Sequence, residues 1–244
     1  MCRSSGMLYL SLAAAAIAAV VSHDCEFIPG PITASNDTRV VQVDCRGRPS
    51  GDAALADITG DTTGVAVYLV NCTTVPVGLF VNVGAELSTV AVLSDDSEAL
   101  LDGTFEGLAN VAELRLDGFR QLRSLGADAF RPLRSLERLV LVGFGAHRLS
   151  YARLGAALKG LSGTPLGRIV MHEIHSARNE QKLDVADLFQ LRNVSVRALS
   201  FSNNIVTGIS GRLSLAFPDL NYICVGANAR YYAAMNALLD VLLL

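Results

Sequence analysis

The chain has 244 residues, of which 51% are hydrophobic and 18% are charged, and its formal net charge is -3. This composition suits a folded protein and excludes a disordered one, because the apolar residues can form a large core. It also excludes a nucleic-acid-binding footprint, since lysine occurs only at Lys159 and Lys182 and the arginines are scattered.

The first residues have the layout of a secretory signal peptide. Arg3 precedes an apolar run from Leu8 to Val21, and the small residue Ser22 follows. A membrane-spanning helix needs roughly 20 apolar residues, and this run is shorter. We therefore predict a signal peptide over residues 1–22, no membrane span, and a mature chain that is secreted or held on the extracellular side of the plasma membrane.

Two further features agree with an oxidising extracellular environment. Four cysteines that can form disulfides remain after the leader, namely Cys25, Cys45, Cys72 and Cys224. Three sequons predict N-glycosylation, at Asn36, Asn71 and Asn193.

An internal repeat occupies most of the remaining chain. The apolar frame of residues 108–119 recurs 25 residues later, over residues 133–144. An apolar-x-apolar core recurs seven times, at Val67/Leu69, Val90/Val92, Leu114/Leu116, Leu139/Leu141, Ile169/Met171, Leu199/Phe201 and Ile223/Val225. Each unit predicts one short strand with inward apolar side chains, and stacked units would share one continuous core.

The corner and the outer side of each unit can be predicted from the same frame. The ninth position should turn inward at a corner, and it holds Cys72, Asp95, Phe119, Phe144, Ile174, Asn204 and Asn228. Asparagine is rare in this set, so we expect an irregular hydrogen-bonded ladder. The longer units leave room for a helix outside the sheet, and residues 151–161 carry leucines at helical spacing.

These repeats resemble the extracellular leucine-rich-repeat family, whose unit reads L-x-x-L-x-x-L-x-L-x-x-N/C. Residues 202–209 and 213–220, with the uneven repeat length, are similar to Toll-like-receptor ectodomains. The resemblance implies an α/β leucine-rich-repeat solenoid, a curved right-handed stack of parallel strands with about seven repeats. It divides the mature chain into an N-terminal cysteine cap (23–64), the repeats (65–230) and a truncated last repeat or tail (231–244).

The cap contains an alternating stretch, residues 39–45, with the character of an edge strand. The family closes such caps with a disulfide, and the resemblance therefore implies a bond between Cys25 and Cys45. We expect Cys72 to be a buried thiol at an inward corner. Cys224 is predicted to lie on the concave side of the sheet as a partly covered thiol.

The architecture implies recognition without catalysis. The outward strand positions would form a concave surface that mixes arginine with acidic residues, and the candidate ligand-binding residues are Arg115, Asp117, Arg138, Arg168, His172 and Glu173. We expect the three arginines of this set to align in one row. The expected partner is a protein or glycan, with dimer formation on ligand binding and with no cofactor or metal.

Three hypotheses about function follow, in order of preference. The first is a Toll-like-receptor-type ectodomain for innate-immune pattern recognition, and the second is a secreted adhesion or matrix protein with the same repeats. The third, a hydrolase within residues 146–190, is least favoured. His172 and His175 are three residues apart after a strand, whereas a zinc protease requires two histidines four apart on a helix.

Overall fold

A computed structural model describes residues 20–22, 38–46, 62–144, 149–174, 181–201, 204, 206–211 and 213–224. In these ranges the elements, in chain order, are β1 (Val20–Ser22), β2 (Thr38–Asp44), β3 (Gly64–Val70), β4 (Thr89–Ser94), β5 (Ala99–Leu100), β6 (Glu113–Asp117), β7 (Ser124–Leu125), β8 (Arg138–Val142), α1 (Tyr151–Leu158), a 3-10 helix (Lys159–Leu161), β9 (Arg168–His172), β10 (Gln181–Asp184), α2 (Val185–Leu188), a second 3-10 helix (Phe189–Asn193), β11 (Ala198–Ser200), β12 (Val206–Ser210), α3 (Leu213–Ala216) and β13 (Tyr222–Cys224).

Nine of these strands form one sheet in the order β1-β13-β11-β9-β8-β6-β4-β3-β2. Neighbouring strands are parallel, and their register joins equivalent repeat positions. Each of the seven predicted units contributes a strand, which confirms the repeat and its register. The alternating stretch of the cap is also a strand, β2, and it pairs with β3 over its whole length.

The inward strand side chains form a continuous apolar core that is closed to solvent. A row of phenylalanines reinforces this core on the side away from the sheet. The ring centroids of Phe80 and Phe105 are 6.3 Å apart, and those of Phe105 and Phe130 are 5.7 Å apart. Each ring comes from a different repeat, so the row ties three successive turns together.

The described corner positions follow the predicted pattern with one exception. Cys72, Phe119, Phe144, Ile174 and Asn204 are buried, as expected. Asn228 lies outside the described residues.

Asp95 is exposed, so its predicted inward position is wrong. Two buried serines form that corner instead. Ser94 Oγ donates to Ser97 Oγ (2.7 Å), and Ser97 Oγ donates to the carbonyl of Cys72 in the preceding repeat (2.9 Å). The short serine hydroxyls form the hydrogen bonds that the buried polar groups of this turn need, and the carboxylate of Asp95 remains in water.

Short helices lie on the outer side of the later repeats. The predicted helix over residues 151–161 is confirmed as α1 followed by the first 3-10 helix. Ser150 is the N-cap of α1, because its side chain accepts a hydrogen bond from the backbone N–H of Arg153 (3.3 Å). Leu154 and Leu158 of α1 join the core, so the helix packs on the same side of the sheet as the row of phenylalanines.

The two ends of the sheet are occupied by strands from outside the seven predicted units. β2 is the terminal strand at one end, and β1 pairs in parallel with β13 at the other end. Residues 20–22 fall within the predicted leader, and cleavage after Ser22 stays a prediction. The tail over residues 231–244 lies outside the described residues.

Candidate binding surface

The side of the sheet that faces away from the core, here called the open face, consists of three rows of side chains set by the strand register. The first row runs through Glu113, Arg138 and Arg168. The second row contains Ala66, Ala91, Arg115, Val140 and Val170. The third row contains Tyr68, Leu93, Asp117, Val142 and His172.

The predicted row of three arginines is wrong. Arg138 is in register with Arg168, but its partner on β6 is Glu113, and Arg115 lies opposite Val140. The reason is positional, because Arg138 and Arg168 precede the first inward residue of their strands, whereas Arg115 lies between two inward residues. Arg138 Nη1 also forms an ion pair with Glu113 Oε2 (3.5 Å), which reduces the positive charge of the first row.

Arg115 is a buried charge in the middle of the open face. It is 9% exposed and flanked in its row by the buried residues Ala91 and Val140. Its Nη2 donates to Asp117 Oδ2 (2.7 Å) on the same strand. This pair compensates the buried charge, since a buried guanidinium without a partner would be costly.

His172 and Glu173 lie together where β9 ends. His172 Nε2 is 3.7 Å from Glu173 Oε1, and Arg120 Nη2 donates to Glu173 Oε2 (3.3 Å). Arg120 follows β6, so this contact passes over the turn after β8 and links the β6 repeat to the β9 repeat. Gly143 lies in that turn, and a side chain there would contact Arg120 Nε. His175 lies outside the described residues.

The N-terminal half of the open face is mostly apolar, although the exposed Gln42 lies opposite Tyr68. Val40 is 60% exposed and Tyr68 is 37% exposed, and the small buried residue Ala66 is the register partner of Val40. Val40 is not among the predicted binding residues, because residues 39–45 were assigned to the cap. Their alternation, which matches that of the repeat strands, is the signal that would have placed Val40 on this surface.

A disulfide joins Cys45 to Cys72, with their Cα atoms 5.0 Å apart. The predicted bond between Cys25 and Cys45 is therefore wrong, and so is the prediction that Cys72 is a free thiol. The pairing follows from the register of β2 and β3, which sets Asp44 opposite Val70 and so brings the residues just beyond these strands together. Cys25 lies outside the described residues.

Cys224 also departs from the prediction. It is 1% exposed and disulfide-bonded, so it is not a partly covered thiol on the open face. Of the described cysteines, Cys45 and Cys72 bond to each other.

Replacing Cys45 with alanine is expected to lower the free energy of unfolding by about 3 kcal/mol, because the unfolded chain is then no longer restricted by the disulfide. Urea denaturation of the purified protein measures this loss. Mutation is preferred to a reducing agent, which would also act on Cys224. Thr73→Ala, an exposed change beside the same corner, is the control and should leave the urea midpoint unchanged. Equal midpoints for Cys45→Ala and wild type would contradict the prediction.

The predicted glycosylation sites occupy different surroundings. Asn193 is exposed at the end of the second 3-10 helix. Asn71 follows β3 in the left-handed backbone region (φ 57°), and its Nδ2 donates to Asp44 Oδ1 (3.1 Å). The backbone N–H of Arg46 and the Asn71 amide both donate to Asp44 and hold the pKa of this carboxyl below its usual value. Asn36 lies outside the described residues.

The parallel sheet, the repeat register, the inward corners and the outer helices together define a leucine-rich-repeat solenoid. No known family profile matches the chain, and no curated protein matches it. Among solved structures, it is similar to human 5T4 (Wnt-activated inhibitory factor 1, trophoblast glycoprotein), with a TM-score of 0.51 and 17% sequence identity. The match covers 77% of this chain and 76% of that one, so the likeness concerns the fold.

Among the described residues, no helix has the length and apolar character that a bilayer-spanning segment requires.

Proposed function

We propose that the chain is an extracellular recognition module that binds a protein ligand through the open face, without catalysis. The observation that carries this proposal is the pairing of an exposed apolar half with a charged half on one continuous sheet surface. Val40 and Tyr68 lie in the apolar half, and Glu113, Arg138 and Arg168 lie in the charged half. Exposed tyrosine and arginine are the residue types that most often carry binding energy at protein interfaces.

The more specific proposal is a recognition ectodomain of Toll-like-receptor type, acting in innate-immune recognition of a microbial or self ligand. It rests on the resemblance of residues 202–209 and 213–220 and on the uneven repeat lengths. The alternative, a secreted adhesion or matrix protein, would use the same face. The transcript downstream of Leu244 separates them, because a receptor requires a membrane span and an intracellular signalling domain. A stop codon directly after Leu244 would contradict the receptor proposal.

The binding proposal can be tested with the full chain immobilised on a sensor surface. The panel would contain purified extracellular protein domains, bacterial lipopeptides and peptidoglycan fragments. For any ligand that binds, we expect Tyr68→Ala and Arg138→Ala each to weaken affinity by about 10-fold or more. The control is Leu215→Ala, an exposed apolar change on α3 at the outer side. Unchanged affinity in both open-face variants, or an equal loss in the control, would exclude this face as the binding site.

A further inference from the structure

One predicted glycosylation site shares a residue with a disulfide. The sequon Asn71-Cys72-Thr73 has Cys72 as its middle residue, and Cys72 is bonded to Cys45 and 1% exposed. Any process that acts on this sequon in the folded chain therefore acts on a segment cross-linked to the neighbouring strand. The sequon at Asn193-Val194-Ser195 has no cysteine and lies far from this bond in the chain.

The acceptor side chain of Asn71 is also held in place. Its backbone is in the left-handed region, which asparagine tolerates better than most other non-glycine residues. Its Nδ2 atom, the atom that would carry a sugar, is 3.1 Å from Asp44 Oδ1. Asp44 is itself fixed, because Oδ1 also accepts the backbone N–H of Arg46 (2.9 Å).

N-glycosylation forms a bond between the asparagine Nδ2 and C1 of the donor sugar. The bond between C1 and the lipid diphosphate breaks, the diphosphate leaves, and the amide loses one proton. The enzyme must bind the asparagine amide and the hydroxyl of the third sequon residue together, in a segment that can enter its active site. A segment whose middle residue is buried and covalently joined to β2 cannot do so.

We propose that closure of the Cys45–Cys72 disulfide prevents later glycosylation of Asn71, so that the order of these two events during folding decides whether Asn71 carries a glycan. Cys45 precedes Cys72 in the chain and is already available when Cys72 is synthesised. The bond closes a short loop between adjacent strands. Because little loop-closure entropy opposes this contact, it forms early. The disulfide form therefore predominates, and Asn71 is glycosylated mainly in chains whose bond closes late.

The two forms differ at the open face. Asn71 directly follows Val70 of β3, beside Asp44 at the end of β2, so a glycan there would stand at the rim of the apolar half that contains Tyr68. The disulfide form leaves this half accessible. The glycosylated form covers its rim with a large polar group, and this provides a redox-dependent control of the surface proposed for binding. The inference rests on the proposed extracellular location, since both modifications require the secretory pathway.

The test is site-specific glycan occupancy of the full chain secreted from cultured cells, measured by mass spectrometry after enzymatic removal of glycans in heavy-oxygen water. Asn193 provides the reference within the same molecule. Cys45→Ala opens the bond and leaves the Asn71 sequon intact, whereas mutation of Cys72 would alter the sequon itself. Phe130→Ala, a destabilising change away from the bond, controls for a general effect of slower folding.

We expect low occupancy of Asn71 in the wild-type chain and a rise in Cys45→Ala to the level of Asn193, with no rise in Phe130→Ala. Full occupancy of Asn71 in a wild-type chain that also retains the Cys45–Cys72 bond would overturn the proposal. So would an unchanged low occupancy in Cys45→Ala, or an equal rise in Phe130→Ala. If the secreted chain carries no glycan at Asn71 in any variant, this inference fails while the proposed extracellular location stands; if no variant is secreted, the proposed extracellular location fails and this inference fails with it.

Discussion

Replacing Asn204 with leucine is expected to lower the free energy of unfolding by about 4 kcal/mol, since two buried backbone groups lose their partners at about 1–3 kcal/mol each. Asn204 Oδ1 accepts the backbone N–H of Ile174 (2.7 Å), and Asn204 Nδ2 donates to the carbonyl of Met171 (2.8 Å). Leucine has a similar volume, so the loss comes from the unsatisfied groups and not from a cavity. Urea denaturation monitored by circular dichroism measures the effect.

Two further variants separate this explanation from a general sensitivity to asparagine replacement. Asn204→Asp keeps the acceptor for Ile174 and removes the donor to Met171, so it also should destabilise the protein. Asn110→Leu is the exposed control, because the Asn110 side chain donates to Ala85 at the longer distance of 3.4 Å. We expect the control to change stability by less than about 0.5 kcal/mol. A loss in Asn110→Leu equal to that in Asn204→Leu would contradict the proposed role of the corner.

The repeat strands could be predicted from the sequence because each one is determined locally. An apolar-x-apolar core can bury its side chains only by facing the neighbouring unit, and the period of the pattern then sets the strand and its register. The same holds for α1, whose leucines have helical spacing and whose first residue follows the capping Ser150. Asp95 shows the limit of this reasoning, because a buried serine pair moved the inward position two residues further along the chain.

The candidate site was less predictable because its properties depend on which residues become neighbours across strands. The sequence identifies Arg115 and Arg138 as outward residues, but only the register puts Arg138 beside Glu113 and Arg115 among buried neighbours. The charge available to a ligand is thus smaller than the number of arginines indicates. An ion pair within one strand, such as Arg115 with Asp117, can be anticipated from the spacing of two residues.

The disulfide was missed for a related reason. The family resemblance assigned Cys25 and Cys45 to a separate cap, but β2 belongs to the same sheet as the repeats. Once residues 38–44 are aligned with residues 64–70, Cys45 and Cys72 are the two cysteines that follow paired strands. A comparison of the alternating stretch with the repeat frame would therefore have found the bond, whereas the cysteine spacing alone could not.

Replacing Phe105 with alanine is expected to lower the free energy of unfolding by about 4 kcal/mol, the usual cost of removing a buried phenylalanine from a core. Phe105 is fully buried between Phe80 and Phe130, so its loss leaves a cavity and removes two aromatic contacts at once. Both neighbours are held by their own repeats and cannot move far to fill the space. The effect should appear in thermal and urea denaturation as a shifted midpoint.

Phe189→Ala supplies the matched control, because it makes the same chemical change at an exposed position. Phe189 is 38% exposed, and the Arg192 guanidinium lies 4.6 Å from the centre of its ring. Removing this ring should cost about 1 kcal/mol, the magnitude of one exposed cation–π contact. If Phe105→Ala and Phe189→Ala destabilise the protein equally, the phenylalanine row does not stabilise the repeats as the structure indicates. A large difference between them would instead show that Phe105 stabilises the protein through its burial in the phenylalanine row, and not merely because it is aromatic.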